Sequence, residues 1–122
     1  TGIEHRIDSP DLGSRDLTLA PSAQAAARAV TGGDTAFDVA ELHAPFTHQE
    51  LILREAIGLG DSTEINPSGG PLTGNPMFSG GLERIGYAAQ AIIDGRAGRA
   101  LAHATSGPVL QQNLVAVLEG RN

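Results

Sequence analysis

Residues 64–76 read EINPSGGPLTGNP, with three glycines and three prolines in thirteen positions. Glycine is cheap only where the backbone is strained or closely approached, and proline withholds a hydrogen-bond donor. Such a stretch is neither an ordinary helix nor an ordinary strand. It follows a short apolar–polar alternation and precedes a long amphipathic run. The chain must therefore hold a constrained loop between two regular elements.

The flanking sequence sets the fold class. Ile3, His5 and Ile7 alternate with Glu4 and Arg6, which predicts a short strand. Residues 8–16 are turn-rich. Alanine-rich residues 21–30, opened by Pro21, predict a helix ended by the glycines at 32–33. Residues 37–42 predict a buried strand. Thr47 and Glu50 have capping-box spacing, with Phe46 and Leu51 placed as a staple, so a helix is expected to start there and run to about Ile57. A brief strand at 63–66 feeds the Gly/Pro loop. Leu82, Ile85, Ala89, Ile92 and Ile93 recur at helical spacing over 79–94. Residues 100–105 and 109–118 predict an adjacent, hairpin-like strand pair. The order βαβαβαββ implies an α/β domain over all 122 residues. Its sheet is expected to be mixed, mostly parallel and five-stranded, with helices on both faces. The charges read as solvated faces.

Composition excludes several classes. A formal net charge of −6, from 14 acids and 8 bases, disfavours nucleic acid and anionic membrane as partners. Aromatic residues are 3% of the chain, too few for base stacking. Cysteine is absent, so disulfides, thiolate metal sites and cysteine nucleophiles are absent too. A reducing, cytoplasmic address is expected. No apolar run approaches the ~18 residues of a membrane-spanning helix. Thr1 rather than Met opens the sequence, so a piece of a longer chain or a processed product is expected.

In open α/β sheets, ligands sit at the carboxyl ends of strands. Three strand ends here carry unusual residues: HAPF after Leu42, PSGGPLTGNP after Asn66, and TSGP after Ala104. Each candidate has two readings. His43 either bonds a backbone group at a helix start or faces a ligand. Asn75 is either a turn residue with positive φ or a site residue. Thr105 and Ser106 either satisfy a turn or line a site. His5 and His103 fall on strand patterns, and His48 on a solvated first helical turn. His43 and His48 are badly spaced for one metal, and no acid completes a set.

The blocks ELHAPFTHQE, INPSGG with its following GNP, and ATSGP…LVAVLEG resemble, in order, the C-terminal half of thiolases. They are most similar to the sterol-carrier and lipid-transfer branch. The resemblance covers nearly the whole chain, and INPSGG…GNP…SGG…RI is its most specific part. It implies catalytic positions at His43, Asn75 and Thr105. It implies substrate contacts from Phe46, Ser68, Gly69, Gly74, Ser106 and Gly107. It also implies an N-terminal half, outside this sequence, that carries the nucleophilic cysteine.

The departures bear on chemistry. Where the family has histidine between Gly and Pro, this chain has Asn75 between Gly74 and Pro76. The family's last-loop cysteine falls at or near Thr105. In the lipid-transfer branch a cysteine can stand in the HAPF loop, where this chain has Ala44 and Pro45. The amide of Asn75 cannot accept a proton near neutral pH, and the hydroxyl of Thr105 needs an activating partner. His43 is left as the group able to polarise a carbonyl.

The resemblance thus implies work on acyl-CoA, including steroid-CoA, thioesters, as an acyltransferase or an aldolase-like enzyme of lipid metabolism. This segment would be inactive alone. No resident cofactor is implied, because the CoA thioester is substrate. The implied partners are the N-terminal half or a full-length homodimer, and a separate protein partner. The other expectation is a non-catalytic module that completes a thiolase-like assembly.

Overall fold

The computed structural model describes residues 2–120. Along the chain lie β1 (Gly2–Ile7), a 3-10 turn (Leu12–Ser14), α1 (Pro21–Thr31), β2 (Val39–Leu42) and α2 (Thr47–Ile57). Then come β3 (Glu64–Ile65), α3 (Gly70–Thr73), α4 (Gly80–Ile93), β4 (Arg99–Ser106) and β5 (Gln112–Glu119). The fold is mixed α/β, on one five-stranded sheet of order β1-β5-β4-β2-β3.

Side-chain alternation divides the core between two faces. Ala40, Leu42, Leu101, Val115 and Val117 pack with Ala23, Ala26 and Ala27 of α1 and with Leu53 and Ile57 of α2. Val39, Ala100, Ala102 and Ala116 pack with Ala88 and Ala91 of α4. Helices therefore cover both faces, as the sequence implies. Alanine at the helix contacts lets backbones approach closely, so few large side chains are needed. Gly32, with φ 63°, ends α1, and its N–H bonds the Arg28 carbonyl.

The sheet is less parallel than the strand pattern suggests. β3, β2 and β4 run parallel, while β5 is antiparallel to both β4 and β1. The β4–β5 hairpin reverses direction as expected. β1 then adds a second antiparallel pair beside it, because the first strand joins the far edge rather than the parallel end. The register pairs Ile3 with Ala116 and His5 with Leu114. The apolar side of β1 thus shares the α4 face, yet Ile3 and Ile7 stay more than half exposed.

The expected start of α2 is corrected. Thr47 is the first helical residue, Phe46 occupies the cap, and no side chain caps the helix. Glu50 instead accepts a bond from Asn66 Nδ2 at 3.3 Å. Phe46 and Leu51 are 59% and 65% exposed, so no staple forms. Thr47→Ala is accordingly expected to shift stability by less than about 0.5 kcal/mol, as at other exposed positions. A urea midpoint lowered by the ~1 kcal/mol typical of a lost cap would restore the capping role.

The Gly/Pro loop contains a short helix that its composition hides. Gly69 has φ 92° and Gly70 φ 60°. A Cβ on Gly69 would meet Thr73 Oγ1 at 2.5 Å, and one on Gly70 would meet Asn66 Nδ2 at 2.8 Å. The glycines therefore allow α3 to fold back tightly on the end of β3. The last strand also begins later than the apolar run implies. Val109 and Leu110 have φ of 52° and 54°, in the turn between β4 and β5. A β-branched residue there is strained. Arg15 grips the turn, donating to the carbonyls of Val109 at 2.7 Å and Pro108 at 3.4 Å.

Candidate functional site

Because β3, β2 and β4 are parallel neighbours, their carboxyl ends and following loops lie on one edge of the sheet. His43 directly follows β2, and its backbone N–H bonds the His103 carbonyl at 3.2 Å. The Thr105 backbone N–H donates to His43 Nδ1 at 3.4 Å. Nδ1 is thereby an acceptor, and the ring proton sits on Nε2. That N–H donates to Asn75 Oδ1 at 3.3 Å. The three candidate positions, about thirty residues apart in sequence, thus meet around one imidazole.

The start of α4 lies against the same ring. A Cβ on Gly80 would fall 2.8 Å from His43 Nε2 and 3.1 Å from Asn75 Oδ1. One on Gly81 would fall 2.5 Å from the Ala104 Cβ. The glycine pair lets the helix approach the strand ends at a distance that any side chain would prevent.

Beneath the cluster lies a buried ion pair. Glu41 and Arg84 side chains are 1% and 2% exposed and meet at 3.1 Å. The Glu41 carboxylate also accepts from the Ser68 hydroxyl at 2.7 Å and the Ser68 backbone N–H at 3.0 Å. Arg84 Nη1 donates to Ser68 Oγ at 3.0 Å. One carboxylate therefore ties β2, the Gly/Pro loop and α4 together, two residues before His43. This corrects the expectation that all charges lie on solvated faces. The Arg84 guanidinium also lies 5.1 Å from the Tyr87 ring centroid.

Burial holds the His43 pKa below its ordinary value, and the Arg84 charge pushes the same way, while the Asn75 bond opposes both. The ring is therefore neutral at physiological pH. His103, on β4, is separate. Its Nε2 bonds Asn113 Oδ1 at 2.8 Å on the α1 side of the sheet, and Asn113 in turn donates to Ser22 Oγ. Its Nδ1 is buried without a partner. Burial pushes its pKa down to about 4. His5 and His48 are exposed.

Two clefts flank the His43–Asn75 bond. An apolar one of about 370 Å³ is lined by His43, Met77, Phe78, Leu82, Ile85 and Ser106, among others. A polar one of about 540 Å³ is lined by Ser68, Thr73, Gly74, Asn75, Glu83 and Tyr87, among others. Such volumes suit small-molecule sites.

The residues implied as substrate contacts separate on this geometry. Gly74 and Ser106 line the clefts. Ser68 lines the polar cleft, but its hydroxyl is saturated by Glu41, Arg84 and Gly70 N–H. Gly69 and Gly107 hold positive-φ turn positions. Phe46 lines neither cleft and stacks on His48 with centroids 5.9 Å apart. The Thr105 hydroxyl donates to the Gln112 carbonyl at 2.9 Å, so its contribution at His43 is main-chain. Asn75 has no positive φ, which removes the turn-residue reading in that form. Sequence reasoning missed Glu41, Arg84 and Gly80. The SGG opening of the amphipathic helix was the one available signal for a close approach there.

No protein-family model matches the chain, and no curated protein matches it significantly. Among the described residues, no helix is long and apolar enough to cross a membrane.

Proposed function

We propose that this chain is the C-terminal half of a thiolase-like protein of the lipid-transfer type, acting on acyl-CoA or steroid-CoA thioesters. The reaction makes or breaks a carbon–carbon bond. The observation that carries this reading is the meeting of His43, Asn75 and Thr105 at one strand-end edge. His43 presents a neutral imidazole N–H, a fitting donor to a thioester or β-oxygen. The apolar cleft beside it suits an acyl or steroid body, and the polar cleft suits the thioester-bearing arm.

Asn75 and Thr105 supply no proton shuttle, so aldolase-like cleavage of a β-hydroxyacyl thioester fits better than cysteine-based Claisen chemistry. A companion segment, either an N-terminal half or a second full-length subunit, would complete the site. The bare apolar surface of Met77, Phe78, Leu82 and Ile93 supports such a companion. A cytoplasmic location belongs to the same proposal and rests on the absence of cysteine.

One observation favours the second reading, a non-catalytic module. Both His43 ring nitrogens and the Thr105 hydroxyl are bonded within the domain. The purified chain, given acetoacetyl-CoA and CoA, is expected to show no turnover above background. Clear turnover would overturn the need for a companion. Cleavage of a β-hydroxyacyl-CoA gained when a companion segment is supplied, with or without a cysteine, would exclude the non-catalytic module.

A further inference from the structure

The Nε2–H of His43 is bonded to Asn75. His43 itself is 7% exposed. Asn75 belongs to a run, residues 72–79, that is exposed throughout. The backbone of the run is pinned at its ends, where Thr73 bonds the Gly70 carbonyl and Ser79 and Gly80 bond the Pro76 carbonyl, but the Asn75 side chain is lightly held. A Cβ on Gly74 would meet nothing within 4 Å, and the Asn75 side chain makes its one hydrogen bond to His43. The ring is the opposite: Thr105 N–H fixes Nδ1, Gly80 packs on Nε2, and β2 anchors the backbone. A buried, multiply fixed donor is thus covered by an exposed acceptor held by one bond, at the boundary of two clefts.

We propose that Asn75 is a latch that closes the His43 donor at rest and yields to a ligand carbonyl oxygen. This rests on reading the cluster as an acyl-thioester site. The exchange conserves hydrogen bonds: the ligand oxygen replaces Oδ1 on the same N–H, and the freed amide returns to water. A ligand without a carbonyl at that point offers no acceptor and leaves the latch closed. Asn75 therefore selects for ligands by the oxygen they bring, and a competing internal bond of this kind weakens apparent affinity.

The first arm of the test needs no ligand. NMR titration of the His43 ring is compared in the wild type, Asn75→Asp and Asn75→Ala. Arg84 on α4, its partner Glu41 on β2 and His103 on β4 are the charged or titratable neighbours, and all are retained in the three forms. A carboxylate in hydrogen-bond reach is expected to raise the His43 midpoint by about one to three units in Asn75→Asp. Loss of the acceptor is expected to lower it in Asn75→Ala. Midpoints unchanged in both variants overturn the latch.

The second arm measures binding of acetoacetyl-CoA and of CoA alone. Asn75→Ala is expected to bind acetoacetyl-CoA about two- to tenfold more tightly, the worth of one competing hydrogen bond. Its affinity for CoA is expected to be unchanged. Equal or weaker acetoacetyl-CoA binding, or the same gain for CoA, overturns opening by a carbonyl. If no form binds acetoacetyl-CoA, the acyl-thioester reading and the latch both fail, and a shifted titration then shows only that the His43–Asn75 bond is present in solution.

Discussion

Arg84→Ala is expected to destabilise the fold by about 3–5 kcal/mol, because it leaves the Glu41 carboxylate buried without its counter-charge. That is a large part of the ~5–15 kcal/mol available to a domain. The loss spreads beyond the pair. Ser68 loses one of the two donors to its hydroxyl, so the Gly/Pro loop loses its tie to α4. Replacing both partners, as in Glu41→Met with Arg84→Met, is expected to recover most of the stability, since neither charge is then buried. Denaturant midpoints check both statements. A change below about 1 kcal/mol for Arg84→Ala would mean that water reaches the carboxylate. A double variant as unstable as the single would mean that packing, not charge, explains the loss.

Acid is expected to destabilise the protein through His103. Above about pH 6.5 the ring is neutral in both folded and unfolded chains and adds no pH dependence. Between about 6.5 and 4, the unfolded chain takes up the proton and the folded chain, with its pKa near 4, does not. Stability therefore falls as pH falls through that window. By pH 5 the loss from this residue is about 2 kcal/mol. The cause is structural: Nε2 is committed to Asn113, so a second proton must sit on the buried, partnerless Nδ1. The lowered pKa of His43 adds a smaller effect of the same sign. His103→Gln keeps a donor toward Asn113 and cannot titrate. The difference in stability between the wild type and this variant, measured at pH 7 and pH 5, isolates the residue. A difference that does not change between the two pH values would contradict the buried neutral ring.

Periodicity identified most elements but not always the face they bury. Leu82, Ile85, Ala89, Ile92 and Ile93 revealed α4. Yet the helix buries Gly80, Arg84, Ala88 and Ala91, and leaves Leu82 and Ile93 71% and 76% exposed. A helix with two apolar sides gives one periodic signal, and only packing tells which side meets the sheet. The strand ends were legible because glycine and proline mark loops and parallel strands align their ends. Their convergence on His43 followed from those two facts. Glu41 and Arg84 were not legible, since an acid and a base 43 positions apart look like solvated charges until the fold brings them together. The cap at Thr47 failed for a related reason: Asn66 competes for Glu50 from another element. The neighbour of β1 was undetermined because element order alone does not fix which edge a first strand joins.

On the proposed function, the His43, Asn75 and Thr105 edge receives the carbonyl end of an acyl thioester. The most direct measurement is an amide-resolved NMR titration of the ¹⁵N-labelled chain with acetoacetyl-CoA. Saturable shifts are expected at His43, Asn75, Thr105 and Ser106, with Met77 to Leu82 following as the apolar cleft fills. The absence of saturable shifts at these residues, or shifts centred on the α1–α2 side of the sheet, would contradict the claim.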